Sequence, residues 1–232
     1  MQTHPAELYD FIYSWKDYPA DARVIKEIFA RYSISPSRIL EVACGTGCYL
    51  QQFEGVDRIG VDLCPVSLRI AGYRVPDADF RQQNMRDIDL EEPVDVILSL
   101  FGATAYLSPD ELVVALRNFH RSLRPGGLLI LEPWVSPSDF QEGVPHLQTY
   151  ESPNFKLARM VLPRRVDRLA VLEFNFLLAR AGWKSEQLTC QDKLWLYDVK
   201  EIQKCVDEAG FTTLEDRPGF MEKSPLLVLS KP

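Results

Sequence analysis

Apolar residues fall along this chain at helical spacing in some segments and in short continuous or alternating runs in others. DARVIKEIFARY, Asp21 to Tyr32, opens with an N-cap candidate and carries Val24, Ile28 and Phe29 at helical spacing, which predicts a helix. RILEVA, from Arg38, reads as a buried strand, the segment after Gly47 as a helix, and DRIGVD as a second strand. PVSLRIAGYR predicts a helix with Pro65 in its first turn, where a missing N–H costs nothing. ADFRQQ is a short third strand and VDVILSL a fourth, apolar on both faces. SPDELVVALRNFHRSL is a helix capped by Ser108, and PGGLLILEPW is turn then strand. Strand and helix therefore alternate up to Glu132, which calls for a parallel sheet with right-handed crossovers on both faces, a doubly wound α/β fold.

Beyond Trp134 the period changes. SPSDFQEGVP reads as loop, and KLARMVLP, DRLAVLEFNFLLAR and KSEQLTCQDKLWLY as antiparallel strands joined by short turns. VKEIQKCVDEAG is helical and ends at Gly210, and FTTLEDR and PLLVLSK close the chain as strands. The expected division is residues 1–134 as an N-terminal lid and main core, 135–197 as an antiparallel insertion, and 198–232 as a helix and hairpin completing the core sheet. The alternation of Val171, Leu172, Phe174 and Phe176 leaves an apolar face for acceptor selection, for dimerisation, or simply for packing on the main sheet.

Composition narrows the partners. With 232 residues, 46% of them hydrophobic, the chain can bury one sizeable core. A net charge of -7 without any basic run argues against nucleic acid and anionic membrane, so a small molecule or another protein is the expected partner. MQTHPAELYD has neither the basic nor the apolar region of a leader, and no stretch reaches the roughly 18 apolar residues of a span, so a cytoplasmic location is expected. The five cysteines suit reduced thiols; Cys44 and Cys48 have no matching downstream pair, and no metal is expected.

The chemistry concentrates in EVACGTGCYL, Glu41 to Leu50, where Gly45 and Gly47 stand at a strand-to-helix junction. In open α/β sheets that junction is where a nucleotide-like ligand sits, although glycine also serves a bare tight turn. Asp62, at the end of the second strand, can accept both hydrogen bonds of a ribose diol. A dinucleotide fingerprint needs a third glycine where Leu50 stands, and no phosphate-binding lysine follows. Glu41 would repel a phosphate and suits a cation. A nucleoside with a positive sulfonium and an amino-acid tail fits: S-adenosylmethionine.

These residues also carry a resemblance. ILEVACGTGCYL, GVDLCPVSLRIA and RPGGLLILEPW resemble the motifs of class I S-adenosylmethionine-dependent methyltransferases. YDFIYSWKDY, QNMRD, LFGATAYL and EPWVSPSDF resemble, more narrowly, the N-methyltransferases of dTDP-linked 3-amino sugars of the desosamine and mycaminose type. The resemblance implies a seven-stranded Rossmann-like sheet with an antiparallel insertion after strand 5, and methyl transfer to a small-molecule amine. It implies that Ala43, Gly45 and Gly47 approach the methionine portion, that Asp62, with Leu63 beside it, holds the ribose, and that Asn84 and Met85 frame the adenine. Leu100 and Phe101 would lie beside the cofactor. Tyr13, Lys16 and Tyr18 would close over it, Lys16 meeting its carboxylate and Tyr13 aligning the amine, whereas a helix face packed on the core remains the plain alternative for the tyrosines. The chain departs from the family at Asn84, usually aspartate, and at Val135, usually a second tryptophan. A same-fold enzyme with an unrelated nitrogen or oxygen acceptor, and a cofactor-binding homologue without turnover, stay open.

Overall fold

The computed structural model describes residues 3–232. Its main sheet contains β1 (Arg38–Val42), β2 (Asp57–Asp62), β3 (Asp79–Gln82), β4 (Val94–Ser99), β5 (Leu123–Leu131), β10 (Thr212–Pro218) and β11 (Pro225–Ser230). They stand in the order β10-β11-β5-β4-β1-β2-β3, with the first five strands of the chain mutually parallel. β11 runs antiparallel between β5 and β10, pairing Leu227 with Leu131, so the closing hairpin makes the sheet mixed.

Helices cover both faces. On one, Leu112 and Phe119 of α4 (Pro109–Ser122) and Ile202 and Val206 of α5 (Val199–Glu208) bury against Val42, Ile97 and Leu129. On the other, Ile25, Ile28 and Phe29 of α2 (Tyr18–Arg31) bury against Ile39, Val96 and Ile130. The caps read from sequence hold where the signal was local. Ser108 and Glu111 form a reciprocal capping box, α3 spans Pro65–Arg74, and Gly210 follows α5 at a φ of +89°.

Three expectations fail. α2 begins at Tyr18, because Asp17 accepts the Ala20 N–H at 2.9 Å and Pro19 fits the first turn; Asp21 is engaged elsewhere. No α-helix follows Gly47. Two left-handed glycines, Gly47 (φ +78°) and Gly55 (φ +81°), bracket that segment and leave room only for a 3₁₀ turn at Leu50–Gln52, whose Leu50 is buried. A strand that the apolar pattern did not signal, β6 (His146–Ser152), forms on the edge of the second sheet, with no fully buried residue.

That second sheet runs β6-β7-β8-β9, with β7 Phe155–Val166, β8 Leu169–Arg180 and β9 Glu186–Trp195, antiparallel throughout. Its inner face is covered by the N-terminal segment, a 3₁₀ turn at Pro5–Leu8 and α1 (Tyr9–Ile12). Leu8 and Ile12 are buried there against Leu157, Phe174, Phe176, Leu178 and Leu188. Among the described residues no helix is long and apolar enough to cross a membrane.

Candidate active site

The site is built at the carboxyl edge of the main sheet, where β1 and β2 end. The loop leaving β1 turns through three left-handed residues, Ala43 (φ +52°), Gly45 (φ +52°) and Gly47 (φ +78°). A Cβ at Gly45 would meet nothing within 4 Å, so there is room over that backbone, whereas one at Gly47 would press the Ala71 Cβ at 3.1 Å. Gly45 therefore faces a space, and Gly47 lets the loop close on α3. Asp62 fixes the loop: its carboxylate accepts the Gly45 N–H and the Cys64 N–H, each at 2.8 Å. Leu63 beside it is largely exposed, and its carbonyl accepts from the Gln82 side chain at 3.1 Å. Glu41 is buried, with Oε2 lacking any hydrogen-bond partner. Burial pushes its carboxyl well above the ordinary range, and the Asp62 charge adds to this, against the Leu50 N–H.

At the end of β4, Leu100 is buried and Phe101 is held at a φ of +56°. Glu132 explains how. Fully buried at the end of β5, it accepts the Phe101 N–H at 2.8 Å, the Phe220 and Met221 N–H groups at 2.6 and 2.7 Å, and the Ser224 hydroxyl at 3.1 Å. One carboxylate ties the left-handed Phe101 to the loop before β11. Following β3, the Asn84 side-chain oxygen accepts from the backbone and Nε of Arg86 at 3.0 and 3.2 Å, and Met85 packs partly against the core.

The N-terminal segment latches onto the glycine loop. Asp10 accepts the Thr46 hydroxyl at 2.6 Å and pairs with Arg74, which also donates to the Thr46 carbonyl. This carries Tyr13 against Phe101, ring centres 5.1 Å apart, and against Tyr9 at 4.6 Å. Lys16 is buried. Its ammonium pairs with Asp21 at 2.9 Å and lies 4.6 Å from the Phe101 ring centre, 5.3 Å from that of Tyr49 and 5.5 Å from that of Tyr18. Burial, then the neighbouring hydroxyls of Tyr18, Tyr13 and Tyr106, push the Tyr9 hydroxyl far up, and burial pushes the Cys48 thiol up to about 11. Both stay protonated at neutral pH.

Sequence reasoning missed three residues of the second sheet and its contact. Arg159 of β7 donates to the Tyr13 hydroxyl at 3.0 Å, lies over the Tyr13 and Phe174 rings, and has a buried Nε with no partner. Tyr106, in the 3₁₀ turn Ala103–Tyr106, donates to Asp192 of β9 at 2.9 Å. A signal was present: Arg159 stands between Leu157 and Val161, and Asp192 between Leu188 and Leu194, each on the buried parity of its strand. Two charged depressions of about 260 and 290 Å³ lie elsewhere, the first at the amino ends of the strands around Arg38 and Asp57, the second around Arg58 and Arg74. Neither includes the glycine loop.

A family model described as a methyltransferase domain matches residues 39–127. A dTDP-3-amino-3,4,6-trideoxy-alpha-D-glucopyranose N,N-dimethyltransferase of Streptomyces venezuelae is 31% identical, over 95% of this chain and 93% of that one. The chain belongs to the S-adenosylmethionine-dependent methyltransferases. Among solved methyltransferases, DesVI of Streptomyces venezuelae superposes with a TM-score of 0.92 at 28% identity, covering all of both chains. The sugar N-methyltransferase KedS8 of a Streptoalloteichus species gives 0.88 at 25%, covering 100% of this chain and 94% of that one. The residues suit the methyltransferase cofactor: room over Gly45, a carboxylate at Asp62 with lone pairs to spare, and the unpartnered Glu41 oxygen on the same loop's strand.

Proposed function

We propose that this methyltransferase acts in the cytoplasm on the amine of a nucleotide-linked amino sugar. One observation carries the acceptor class: in the middle of the second sheet's inner face, among apolar residues, stand a cation, Arg159, and an anion, Asp192. An amino-sugar nucleotide brings the complementary pair, an ammonium and a diphosphate. The full-length likeness to a dTDP-amino-sugar dimethyltransferase supports the same reading.

In this reading Ala43, Gly45 and Gly47 hold the methionine portion of the cofactor, Asp62 with Leu63 the ribose, and Asn84 and Met85 the adenine. Leu100, Phe101, Lys16 and Tyr18 wall the remainder. S-adenosylmethionine supplies an electrophilic methyl group on sulfur. The protein's main task is alignment, since well-aligned reactants can gain roughly 7 to 11 kcal/mol. Tyr13 directs the amine lone pair. Its hydroxyl already accepts from Arg159 and keeps its own hydrogen to donate and a lone pair to receive an amine N–H. The aromatic rings around it lower the local polarity, which favours the neutral amine.

The division into a cofactor-binding core over 1–134 and 198–232 and an acceptor-selecting layer over 135–197 belongs to the same proposal. So does a homodimer through the outer face of that layer, where Leu147, Met160, Leu162 and Leu177 are exposed.

The test is incubation with S-adenosylmethionine and dTDP-linked 3-amino and 4-amino sugars, followed by mass spectrometry. The expected result is one or two added methyl groups on nitrogen, matched by S-adenosylhomocysteine. Methylation only of sugars lacking the amine would reject it.

A further inference from the structure

The reaction needs somewhere for a proton to go. We infer that Asp192 takes it, accepting a proton from the acceptor's ammonium before the amine attacks. The inference rests on the amine acceptor proposed above.

Alternation along β9 puts Leu188, Cys190, Asp192 and Leu194 on the inner face, and the register sets Asp192 opposite Leu172 of β8. Apolar clusters lie on both sides, Leu188 with Phe174 and Phe176 on one and Leu194 with Leu196 and Ala105 on the other. A carboxylate there is partly desolvated. Among the described residues its one direct partner is the Tyr106 hydroxyl, on Oδ2, at 2.9 Å, which leaves Oδ1 for a ligand. Tyr106 ends the 3₁₀ turn that follows Phe101, against whose ring Tyr13 stands at 5.1 Å, so Asp192 is tied to the edge of the main sheet where the site lies.

Glu41 has an unpartnered Oε2 but lies buried on β1, where desolvation pushes its carboxyl well above the ordinary range and disfavours the anion, and the remaining carboxylates around the site are engaged. Asp62 holds two backbone N–H groups, Asp10 is paired with Arg74 and Thr46, Asp21 with Lys16, and Glu132 accepts four hydrogen bonds. Burial raises the Tyr9 and Tyr18 hydroxyls, so both stay protonated phenols at neutral pH and offer no phenolate to take the proton. Asp192 is the anion with a vacant lone pair facing an apolar space. Burial raises its pKa against the Tyr106 hydrogen bond and the Arg159 charge, which moves it toward the pH at which a general base works best. The groups that face it are Tyr106 from the turn after β4, Arg159 from β7 and Cys190 from its own strand.

The step balances. The ammonium N–H bond breaks, its proton passes to Asp192 Oδ1, and the freed nitrogen lone pair bonds to the methyl carbon as the bond from that carbon to sulfur breaks. The sulfur keeps the electron pair of the broken bond and leaves as a neutral thioether, while nitrogen takes up the positive charge. Asp192 returns its proton to water past Tyr106, a residue 55% exposed, and is ready for a second transfer.

The test is the pH dependence of kcat/KM for the wild type and Asp192→Asn on a dTDP-linked 3-amino sugar and on the corresponding amino sugar without the nucleotide. The wild type should give a bell, its acid limb set by Asp192 and its basic limb by the ammonium. Asp192→Asn should lose about 10²- to 10³-fold near neutrality, then rise with pH as solution supplies the free amine, with unchanged cofactor affinity by calorimetry. A variant within twofold of the wild type, or one reduced by a constant factor at every pH, overturns the inference and leaves the acceptor reading standing. No wild-type turnover on either amine overturns both. If Asp192→Asn does not fold, Tyr106→Phe serves: removing the donor should move the acid limb to higher pH, and an unmoved limb overturns the inference.

Discussion

The Arg159 guanidinium donates to the Tyr13 hydroxyl at 3.0 Å and at the same time lies over the Tyr13 ring, 5.2 Å from its centre. Two sheets meet in that contact, because Tyr13 also stands edge-on to Phe101 at the end of β4. A phenol held from both sides is fixed in place, which suits the positioning role proposed for it.

Tyr13→Phe should therefore reduce turnover by about tenfold, or about 1.4 kcal/mol, because the ring and the rest of the alignment remain. It should also cost about 1 to 3 kcal/mol of stability, since an Arg159 N–H loses its partner. Tyr13→Ala should cost more in both. A fall of 10²- to 10⁴-fold in the phenylalanine variant would instead identify an obligatory base. Unchanged turnover per folded molecule in both variants would reduce Tyr13 to packing.

Asp62→Ala should weaken binding of S-adenosylhomocysteine by roughly 1 to 3 kcal/mol, the scale of a buried polar group left unpaired. The loss has two sources here, the ribose contact proposed for Asp62 and the Gly45 and Cys64 N–H groups that it holds. Calorimetry on a folded variant measures it, and unchanged affinity would remove Asp62 from the site.

How much of this could be read in the chain follows from how local each signal is. Pro65, the Ser108 capping box and Gly210 act within one turn of their helices, and those helices lie where the pattern put them. Gly45 and Asp62 were legible because one strand end and the next lie side by side in a parallel sheet. Arg159 and Asp192 were visible only as charges on apolar parity, since which face of the second sheet meets the site depends on how Leu8 and Ile12 dock against it. The family resemblance set Lys16 against the cofactor carboxylate, and its pairing with Asp21 was not legible, a contact that the misplaced start of α2 hid.

Asp95, at the amino end of β4, gives the stability a defined pH dependence. Burial pushes its carboxyl up, but the hydrogen bonds from Arg124, the Arg38 N–H and Ser37 outweigh this and hold it below the usual aspartate value. A depressed folded pKa stabilises above the unfolded value of about 3.9 and is lost as pH falls through the folded one. Asp95→Asn should be less stable than the wild type to urea at neutral pH. The gap should shrink below about pH 4 and close at lower pH; a gap independent of pH would contradict the assignment.

The last prediction concerns Lys16, which the family resemblance sets against the cofactor carboxylate and the structure pairs with Asp21 at 2.9 Å. Both can hold, because an ammonium has three donors and one carboxylate oxygen occupies only one of them. Asp21 is itself anchored by the Tyr49 hydroxyl at 2.8 Å, so the pair is a fixed, largely desolvated unit within the rings of Tyr18, Tyr49, Phe101 and Phe220. Lys16→Met leaves Asp21 uncompensated and should cost about 3 to 5 kcal/mol of stability, the range for breaking a buried pair from one side. Adding Asp21→Asn removes the stranded charge and should recover most of that loss in a urea titration. Cofactor affinity separates the two roles. If Lys16 also meets the cofactor carboxylate, the double variant should refold to near wild-type stability yet still bind S-adenosylhomocysteine roughly tenfold or more weakly, a loss of about 1.4 kcal/mol or more from a missing charge-assisted hydrogen bond. Recovery of affinity along with stability would show that Lys16 only braces the aromatic wall.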